Sequence, residues 1–353
     1  MIQAFLSKPP SPGAAAWPTS MPPVLRTLPR HDHAMKPTLL LLSRLPDSFI
    51  IHLREQFDCH AYSLLDETRL RELAPTVRGI VATAESRVPR ALIARLPALE
   101  IISVLGVGYD GIDLEAAREH NVCVTHTPGL STDDIADFAI ALLLCATRQV
   151  LSADRFVRRG EWPAGRYPMT ARVFGGRIGI VGLGRIGRAV ALRAQAFGMS
   201  IAYTGRTPKA DVPYRWCNDV QALAASVDYL VVCASGGADT HGMINAAVLT
   251  ALGPSGVLIN IARGSIVDEQ ALVEALRERR ILAAGLDVFC DEPHVSQALL
   301  ELPSVVLTPH MASTTDATVQ AMLDLAFDNL AMHFAGEAVL TQVNEQCDLQ
   351  TLQ

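Results

Sequence analysis

The sequence has no surplus of positive charge and no long hydrophobic run, and both absences restrict its function. Thirty Lys and Arg stand against 36 Asp and Glu in 353 residues, a formal net charge of −6. Nucleic-acid binders usually carry a basic patch or a high domain pI, so we expect no nucleic-acid partner. The longest apolar run, Phe138 to Ala146, is about half of the roughly 20 residues that span a bilayer. We therefore expect no membrane partner.

Paired cysteines are absent as well. The seven cysteines are scattered, their number is odd, and no Cys-x-x-Cys motif occurs; they stand at positions 59, 123, 145, 217, 233, 290 and 347. This spacing argues against a disulfide framework and against a zinc ribbon. We predict isolated reduced thiols in a cytoplasmic protein that holds no metal.

From Lys36 onward, short apolar runs alternate with helix-length segments. A first series of candidate strands comprises Thr38–Leu42, Gly79–Thr83, Ile101–Leu105 and Val122–Thr125. A second comprises Arg177–Val181, Ser200–Tyr203, Tyr229–Cys233, Val257–Asn260, Ala283–Asp287 and Val305–Leu307. Strands that alternate with helices indicate right-handed βαβ units and parallel sheets. The predicted fold class is α/β, with two doubly wound parallel-sheet (Rossmann-like) domains and a cleft between them.

Both chain termini are expected to lie outside these domains. Met1 to Ala34 is rich in Pro, Ala, Ser and Arg and lacks a sustained periodicity. We expect residues 1–35 to be a disordered leader, or an upstream extension of a natural start at Met35; an organellar transit peptide is a further alternative. Residues 346–353 are expected to form a short tail.

The junction between the two series is marked by Thr127-Pro128-Gly129. Ser131 or Thr132 can cap a helix whose first turn carries two aspartates, which favour a helix N-terminus. The helix is predicted to run to about Gln149 and to connect the two domains.

A glycine-rich motif follows the first strand of the second series. The strand Arg177–Val181 leads directly into Gly182-Leu183-Gly184-Arg185-Ile186-Gly187, and a helix is predicted from Arg188 to Phe197. In this context the first Gly allows a tight turn, the second lets the backbone approach a pyrophosphate, and the third permits close helix–strand packing. Free N–H groups at the helix N-terminus favour the phosphates. We predict dinucleotide binding by residues 182–187; a purely structural turn is the alternative.

The end of the next strand indicates which dinucleotide binds. NAD-binding versions usually place Asp or Glu there to accept from the ribose 2′-hydroxyl, but this chain reads Tyr203-Thr204-Gly205-Arg206-Thr207. Arg206 can pair with a 2′-phosphate, and Thr207 can add a hydroxyl donor. We therefore predict a preference for NADP(H). The alternative is that Arg206 is a solvated surface charge and that NAD(H) is accepted.

Three polar residues follow strands of the second series: Arg263, Glu292 and His310. Ligands of open α/β sheets bind at the carboxyl ends of the strands, so these side chains can converge beside the cofactor. Taken singly, they could be a surface cation, a turn acid and a loop imidazole. Together, and downstream of a dinucleotide motif, they predict a catalytic site.

At this point the sequence resembles the D-isomer-specific 2-hydroxyacid dehydrogenases, and most of all the NADPH-dependent glyoxylate/hydroxypyruvate and hydroxyphenylpyruvate reductases. The resemblance extends from Lys36 to about Asn344. Six motifs carry it in order: Gly106-Val107-Gly108-Tyr109-Asp110-Gly111-Ile112-Asp113, Gly182 to Gly187, Asn260-Ile261-Ala262-Arg263-Gly264, Leu286-Asp287-Val288-Phe289, Glu292-Pro293 and Pro309-His310.

The resemblance implies roles for these residues. His310 becomes the acid/base, Glu292 its partner and Arg263 the anchor of the substrate carboxylate, and the backbone N–H groups of Val107 and Gly108 bind the same carboxylate. Imidazole titrates near neutral pH and suits proton transfer, while a guanidinium recognises a carboxylate with two prongs. Two further positions match the cofactor site: Ala262 and Asp287. For Asp287, a buried structural hydrogen bond is an equal alternative.

The implied activity is NADPH-dependent reduction of a small 2-oxo acid to the D-2-hydroxy acid, with His310 as proton donor. Glyoxylate, hydroxypyruvate and aryl pyruvates are candidate substrates. The family's substrate loop corresponds to residues 83–87, where Glu85 and Arg87 match no single substrate class. A homodimer is implied too. The alternative is a dinucleotide-gated interaction module, as in the C-terminal-binding-protein corepressors, which retain the same polar trio.

The domain boundaries follow from this resemblance. Residues 36–130 are expected to form the substrate-binding domain, completed by residues 312–345 through a last helix around Thr318 to Phe334. Residues 131–311 are expected to form the NAD(P)-binding domain. The active site then lies in the cleft between them.

Overall fold

The structure, a computed structural model, describes Met35–Val343. The expected leader at residues 1–35, apart from Met35, and the expected tail at residues 346–353 lie outside the described residues, as does Cys347. The described chain forms two parallel-sheet α/β domains, as predicted.

The first sheet has five parallel strands in the order β2-β1-β3-β4-β5. They are β1 (Thr38–Leu41), β2 (Asp58–Ala61), β3 (Val77–Thr83), β4 (Ile101–Leu105) and β5 (Cys123–Thr125). Strand β1 is buried along its whole length, as expected of a parallel strand covered on both faces. The strand order reverses between β1 and β3, and the carboxyl ends of such a pair form a ligand crevice in open α/β sheets.

The second sheet has seven parallel strands in the order β12-β11-β10-β9-β6-β7-β8. They are β6 (Arg177–Val181), β7 (Ser200–Thr204), β8 (Arg215–Cys217), β9 (Tyr229–Val232), β10 (Val257–Asn260), β11 (Ala283–Leu286) and β12 (Val305–Leu307). Its order reverses between β6 and β9, which places the carboxyl end of β6 at a second crevice.

Helices connect the strands and cover both sheets. They are α1 (Asp47–Gln56), α2 (Glu67–Leu73), α3 (Arg90–Ala94), α4 (Leu114–Glu119), α5 (Thr132–Arg148), α6 (Val150–Arg158), α7 (Arg185–Ala196), α8 (Val220–Ala224), α9 (Ala246–Leu252), α10 (Glu269–Arg277), α11 (Gln297–Leu300) and α12 (Asp316–Phe334). Short 3₁₀ turns lie at Tyr62–Leu64, Ala74–Thr76, Trp162–Ala164, Ala238–Thr240 and Gly264–Ile266.

Helix α5 leads the chain from the first sheet to the second. Its small and aliphatic residues Ala136, Ala139 and Leu143 are buried, and the helix packs against α7, β10 and β11. Ser131 occupies the N-cap position, but its side chain makes no capping hydrogen bond, so the predicted side-chain cap is wrong. No single helix between Met35 and Val343 has the length and apolar composition to cross a membrane; α5 and α6, bent by 58°, pass only as a pair.

Helix α12 returns the chain to the first sheet. It packs against β4, and its buried residues Phe327 and Leu330 belong to the same apolar core as Leu39 of β1. Beyond the helix, the Val343 N–H donates to the Val124 carbonyl at 2.9 Å. The first sheet is therefore completed by the C-terminal part of the described chain. The residue limits predicted for the two domains stay predictions.

Two strands, β2 and β8, are absent from the predicted series. Both lie at sheet edges, and both are short: β2 begins with the exposed Asp58, and Arg215 and Trp216 of β8 are exposed. Such segments lack the apolar run by which the other strands are recognised.

Candidate active site

His310 lies on the loop that follows β12, and Asp287 shapes that loop. The buried Asp287 carboxylate accepts hydrogen bonds from the Thr308 hydroxyl at 2.6 Å and from the N–H groups of Met311 and Ala312 at 2.9 and 2.8 Å. The His310 N–H donates to the Asp287 carbonyl at 2.8 Å, and His310 takes a left-handed φ of 49°. Of the two roles predicted for Asp287, these contacts support the structural one.

Glu292 holds one side of the His310 ring. Its Oε2 lies 2.7 Å from Nδ1 of His310, and its Oε1 accepts from the Phe289 N–H at 2.8 Å. Burial alone would lower the pKa of His310, but the hydrogen bond and charge of Glu292, with the charge of Glu85, outweigh it and raise the pKa. Burial opposes ionisation of Glu292 too, yet its bonds to His310 and Phe289 lower its pKa. The pair thus favours an imidazolium beside a carboxylate.

Arg263 lies after β10, on a loop that Asn260 shapes. The buried Asn260 accepts from the Ala262 N–H at 3.1 Å and donates from Nδ2 to the Arg263 carbonyl at 2.9 Å. The guanidinium donates from Nη1 to the Ala262 carbonyl at 2.7 Å and from Nε to Asp110 Oδ1 at 3.1 Å. Asp110 follows β4, so this ion pair joins loops of the two sheets.

The Gly106-Val107-Gly108 turn faces the same guanidinium. A Cβ placed on Gly108 would overlap Nη2 of Arg263, so only glycine lets the arginine lie against this backbone. The two residues that follow β5 hold the turn. Thr127 Oγ1 accepts from the Gly106 N–H at 2.8 Å, and His126 Nδ1 lies 3.0 Å from the Val107 carbonyl. The carbonyl can only accept, so Nδ1 of His126 carries the proton.

His126 has a lowered pKa. Burial lowers the pKa of His126 despite its bond to Val107, and the positive charge of Arg185 lowers it further. His126, Thr127 and Asp110 had no predicted role; only Asp110 had a signal in the sequence, because it stands inside a recognised motif.

The Gly182–Gly187 turn has the form that a dinucleotide requires. Gly182 has a φ of +92°, and a Cβ there would collide with the backbone of Ala234, while one on Gly187 would meet the Gly182 carbonyl. Helix α7 begins at Arg185 with no side-chain cap, so its first N–H groups are available to an anion. The residues present therefore fit the pyrophosphate of a bound cofactor.

Arg206 and Thr207 lie on the exposed loop that follows β7. Within the described range Arg206 makes no ion pair. The acid further along this loop, Asp211, is held by Arg188, whose Nη2 donates to Oδ1 at 3.0 Å, and this hydrogen bond lowers the pKa of Asp211. Among the described residues, the loop thus presents Arg206 without an ion-pair partner and Asp211 with its negative charge balanced by Arg188.

These elements define the class of the protein. A dinucleotide turn at the start of a parallel sheet, a carboxylate–imidazole pair and an arginine beside a glycine turn constitute the site of an NAD(P)-dependent oxidoreductase. Between Met35 and Val343, no group of three or more His, Cys, Asp or Glu side chains is arranged to hold a metal ion.

Comparisons with known proteins give the family. A model of the D-isomer specific 2-hydroxyacid dehydrogenase NAD binding domain matches residues 140–312. The chain is 42% identical to a 2-ketogluconate reductase of Gluconobacter oxydans over 87% of this chain and 99% of that protein. It is 46% identical to a hydroxyphenylpyruvate reductase of Plectranthus scutellarioides over 76% of this chain and 86% of that protein.

A solved structure agrees. An NADPH-dependent glyoxylate/hydroxypyruvate reductase of Sinorhizobium meliloti, in complex with NADP and malonate, is 40% identical, with a TM-score of 0.83 over 88% of this chain and 98% of that one. The chain belongs to the D-isomer-specific 2-hydroxyacid dehydrogenase family.

Proposed function

We propose that this enzyme is an NADPH-dependent reductase that converts a small 2-oxo acid to the D-2-hydroxy acid. The observation that carries the proposal is the pairing of His310 with Glu292 at 2.7 Å, on the same side of the fold as Arg263 and the Gly108 turn. A proton donor and a carboxylate anchor are the two protein groups that this reaction needs.

Each residue has a defined task. Arg263 and the N–H groups of Val107 and Gly108 bind the substrate carboxylate and hold the neighbouring carbonyl toward His310. The Nε2 proton of His310 passes to the carbonyl oxygen, and Glu292 stabilises the imidazolium until then. A reduced nicotinamide, when bound, supplies the hydride. In the reverse direction neutral His310 takes the proton from the hydroxyl group.

The proposed cofactor preference is NADP(H), with NAD(H) as a weaker alternative. Arg206, unpaired within the described residues and exposed, can pair with the 2′-phosphate, and Thr207 can donate to it. Ala262, which precedes Arg263 after β10, is a further proposed cofactor contact. The relative of known structure that carries NADP supports this assignment.

The proposed substrates are glyoxylate, hydroxypyruvate or an aryl pyruvate. Relatives named for the reduction of such acids support this class. The alternative, a dinucleotide-gated interaction module, finds no support in the relatives compared. The test is an acid panel with NADPH, followed by the absorbance of the reduced nicotinamide. Turnover of at least one acid is expected; if none oxidises the cofactor in a protein that binds NADPH, the proposal is wrong.

Assembly and location complete the proposal. Residues 36–130 with 312–345 would bind the substrate and residues 131–311 the cofactor.

Large apolar side chains are exposed along one segment, at Leu151, Trp162, Met169 and Phe174, as expected of a surface that a second copy covers in a homodimer. No disulfide joins the described cysteines, which suits a reducing cytoplasm.

A further inference from the structure

We propose that Glu85 selects 2-oxo acids that carry a hydroxyl group on the carbon next to the keto group. The inference rests on the proposed function and assigns its substrate class. Hydroxypyruvate and longer polyhydroxy 2-oxo acids belong to this class, whereas pyruvate, aryl pyruvates and 2-oxo dicarboxylic acids do not.

Glu85 stands on an anchored turn. The turn spans Thr83 to Ser86 at the end of β3, and the Ser86 N–H donates to the Thr83 carbonyl at 3.0 Å. Ser86 Oγ accepts from the Thr83 N–H at 2.9 Å, and Ser43 bonds both hydroxyls, at 2.8 Å to Ser86 and 3.0 Å to Thr83. Ser43 follows β1, so the turn is held where the strand order of the first sheet reverses. Glu85 is therefore presented from a fixed backbone into the crevice.

The side chain of Glu85 faces the reactive nitrogen. Its Oε1 lies 3.8 Å from Nε2 of His310, the ring nitrogen that Glu292 leaves free, and the side chain is 50% exposed. A substrate oxygen that takes a proton from Nε2 must come within about 3 Å of it. Any substrate of this site therefore lies within reach of the Glu85 carboxylate.

The geometry of a 2-oxo acid decides which part meets Glu85. The keto carbon has three neighbours: its oxygen is directed to His310, its carboxylate to Arg263 and the Gly108 turn, and hydride arrives perpendicular to their plane. The third neighbour, the carbon that distinguishes one 2-oxo acid from another, is left facing the turn between Thr83 and Ser86.

A carboxylate at that position discriminates by chemistry. Glu85 accepts no hydrogen bond from the described residues, so its oxygens are open to a donor from the substrate. A hydroxyl group can donate to it, and bonds to a charged acceptor are stronger than neutral ones. A methyl or aryl group would desolvate the carboxylate without compensation, and a second carboxylate would be repelled.

The experiment compares hydroxypyruvate with pyruvate, which differ by that hydroxyl alone. We expect kcat/KM with NADPH to favour hydroxypyruvate by about tenfold or more, equal to about 1.4 kcal/mol. In Glu85→Ala the ratio should fall to about one. Glu85→Gln should keep part of the preference, because its amide oxygen still accepts, and should improve oxaloacetate relative to pyruvate. Glu55→Ala is the matched control, since Glu55 is exposed in the last turn of α1.

The outcomes separate the two proposals. If the wild type reduces both acids but the ratio is near one, or is unchanged in a folded Glu85→Ala variant, the specificity inference is overturned and the proposed function stands. An equal loss on both acids with a shifted pH profile would mean that Glu85 acts only through His310, which also overturns it. If the wild type binds NADPH but reduces neither these acids nor the rest of the panel, the proposed function fails and the inference fails with it. Thermal unfolding confirms that each variant is folded.

Discussion

Arg263 and Asp110 form an ion pair across the cleft between the two sheets, with Nε 3.1 Å from Oδ1 and 3.3 Å from Oδ2. Both side chains are partly buried, at 23% and 34% exposure. The contact uses Nε and leaves Nη2 against the Gly108 turn. Asp110 thus orients the guanidinium through Nε, and Nη2 donates no hydrogen bond to the described residues.

Asp110→Asn should weaken substrate binding more than the chemical step. The amide keeps the shape of Asp110 but removes the charge that fixes Arg263, so the arginine is held less well for the carboxylate. We expect KM for the 2-oxo acid to rise about tenfold, about 1.4 kcal/mol, with a smaller change in kcat and unchanged NADPH affinity. Steady-state kinetics and fluorescence titration of NADPH measure these quantities. An unchanged KM would show that Arg263 needs no orientation by Asp110.

Gly108→Ala should impair catalysis through Arg263. The added Cβ would overlap Nη2 of Arg263, and a displacement of about 1 Å in a positioning group costs on the order of a hundredfold in rate. The control is Gly165→Ala, because Gly165 has an extended φ of 172° and open space around its Cβ position. Wild-type kcat/KM in a folded Gly108→Ala variant would contradict the assignment of this turn to the substrate site.

The pH dependence of reduction should report the His310–Glu292 pair. The proton donor must be protonated, so kcat/KM for reduction should fall as the pH rises through the raised pKa of His310. Glu292→Gln removes the carboxylate that raises this pKa, so the fall should move to lower pH. The measurement is a pH profile of kcat/KM in both proteins at saturating NADPH. A shift toward higher pH in Glu292→Gln would refute this account of the pair.

Removal of the imidazole should abolish most turnover while the dinucleotide site stays intact. His310→Ala lacks the proton donor, and general acid catalysis contributes about 100- to 10,000-fold. NADPH affinity should not change, because His310 lies outside the Gly182–Gly187 turn. Single-turnover kinetics and NADPH titration test both expectations. Turnover near the wild-type level would require another proton donor.

Arg206→Asp should reverse part of the cofactor preference. The substitution removes a cation and places a like charge beside the 2′-phosphate, a change of about 3 kcal/mol. The ratio of kcat/KM for NADPH over NADH should therefore fall about a hundredfold. Arg118→Asp makes the same charge change at an exposed position on α4 of the first sheet and should leave the ratio unchanged. An unaltered ratio in Arg206→Asp would show that Arg206 does not pair with the 2′-phosphate.

A charged residue on the exposed apolar segment should disrupt the proposed homodimer. Met169 is fully exposed at 100% in the isolated chain, and Asp there would be buried without a partner in a dimer. Light scattering should find a dimer for the wild type and a monomer for Met169→Asp. The control is Ile51→Asp, at a residue 64% exposed on α1. A wild-type monomer would overturn the dimer.

The sequence predicts the fold class well, and it singles out Arg263, Glu292 and His310 for a different reason. Apolar runs such as Val257–Asn260 and Val305–Leu307 match their strands residue for residue, because buried parallel strands leave a continuous hydrophobic signal. These three residues can be picked out because each follows a strand, and parallel strands bring their carboxyl ends to one edge; their catalytic role stays a prediction. The edge strands β2 and β8 carry neither signal, since they are short and partly exposed.

The supporting contacts of the site were not predictable in the same way. The bond between Arg263 and Asp110 joins residues 153 positions apart, and no local pattern specifies such a distance. His126 contacts the backbone carbonyl of Val107. Every residue type carries such a carbonyl, so the sequence holds no signal for this contact. In the sequence Glu85 stands in the substrate loop and matches no single substrate class, and its approach to His310 depends on how the loops of two sheets meet.

The return of α12 to the first sheet has a consequence for the order in which the protein is made. The core around Leu39 includes Phe327 and Leu330, and β5 binds the chain again at Val343. On the ribosome the first strands emerge early, yet they lack these packing partners until the last described residues have been synthesised. The second sheet, whose strands end at Leu307, has all its strands sooner. During synthesis the N-terminal part of a chain generally folds first. Here we expect the second sheet, in the middle of the chain, to finish folding before the first sheet.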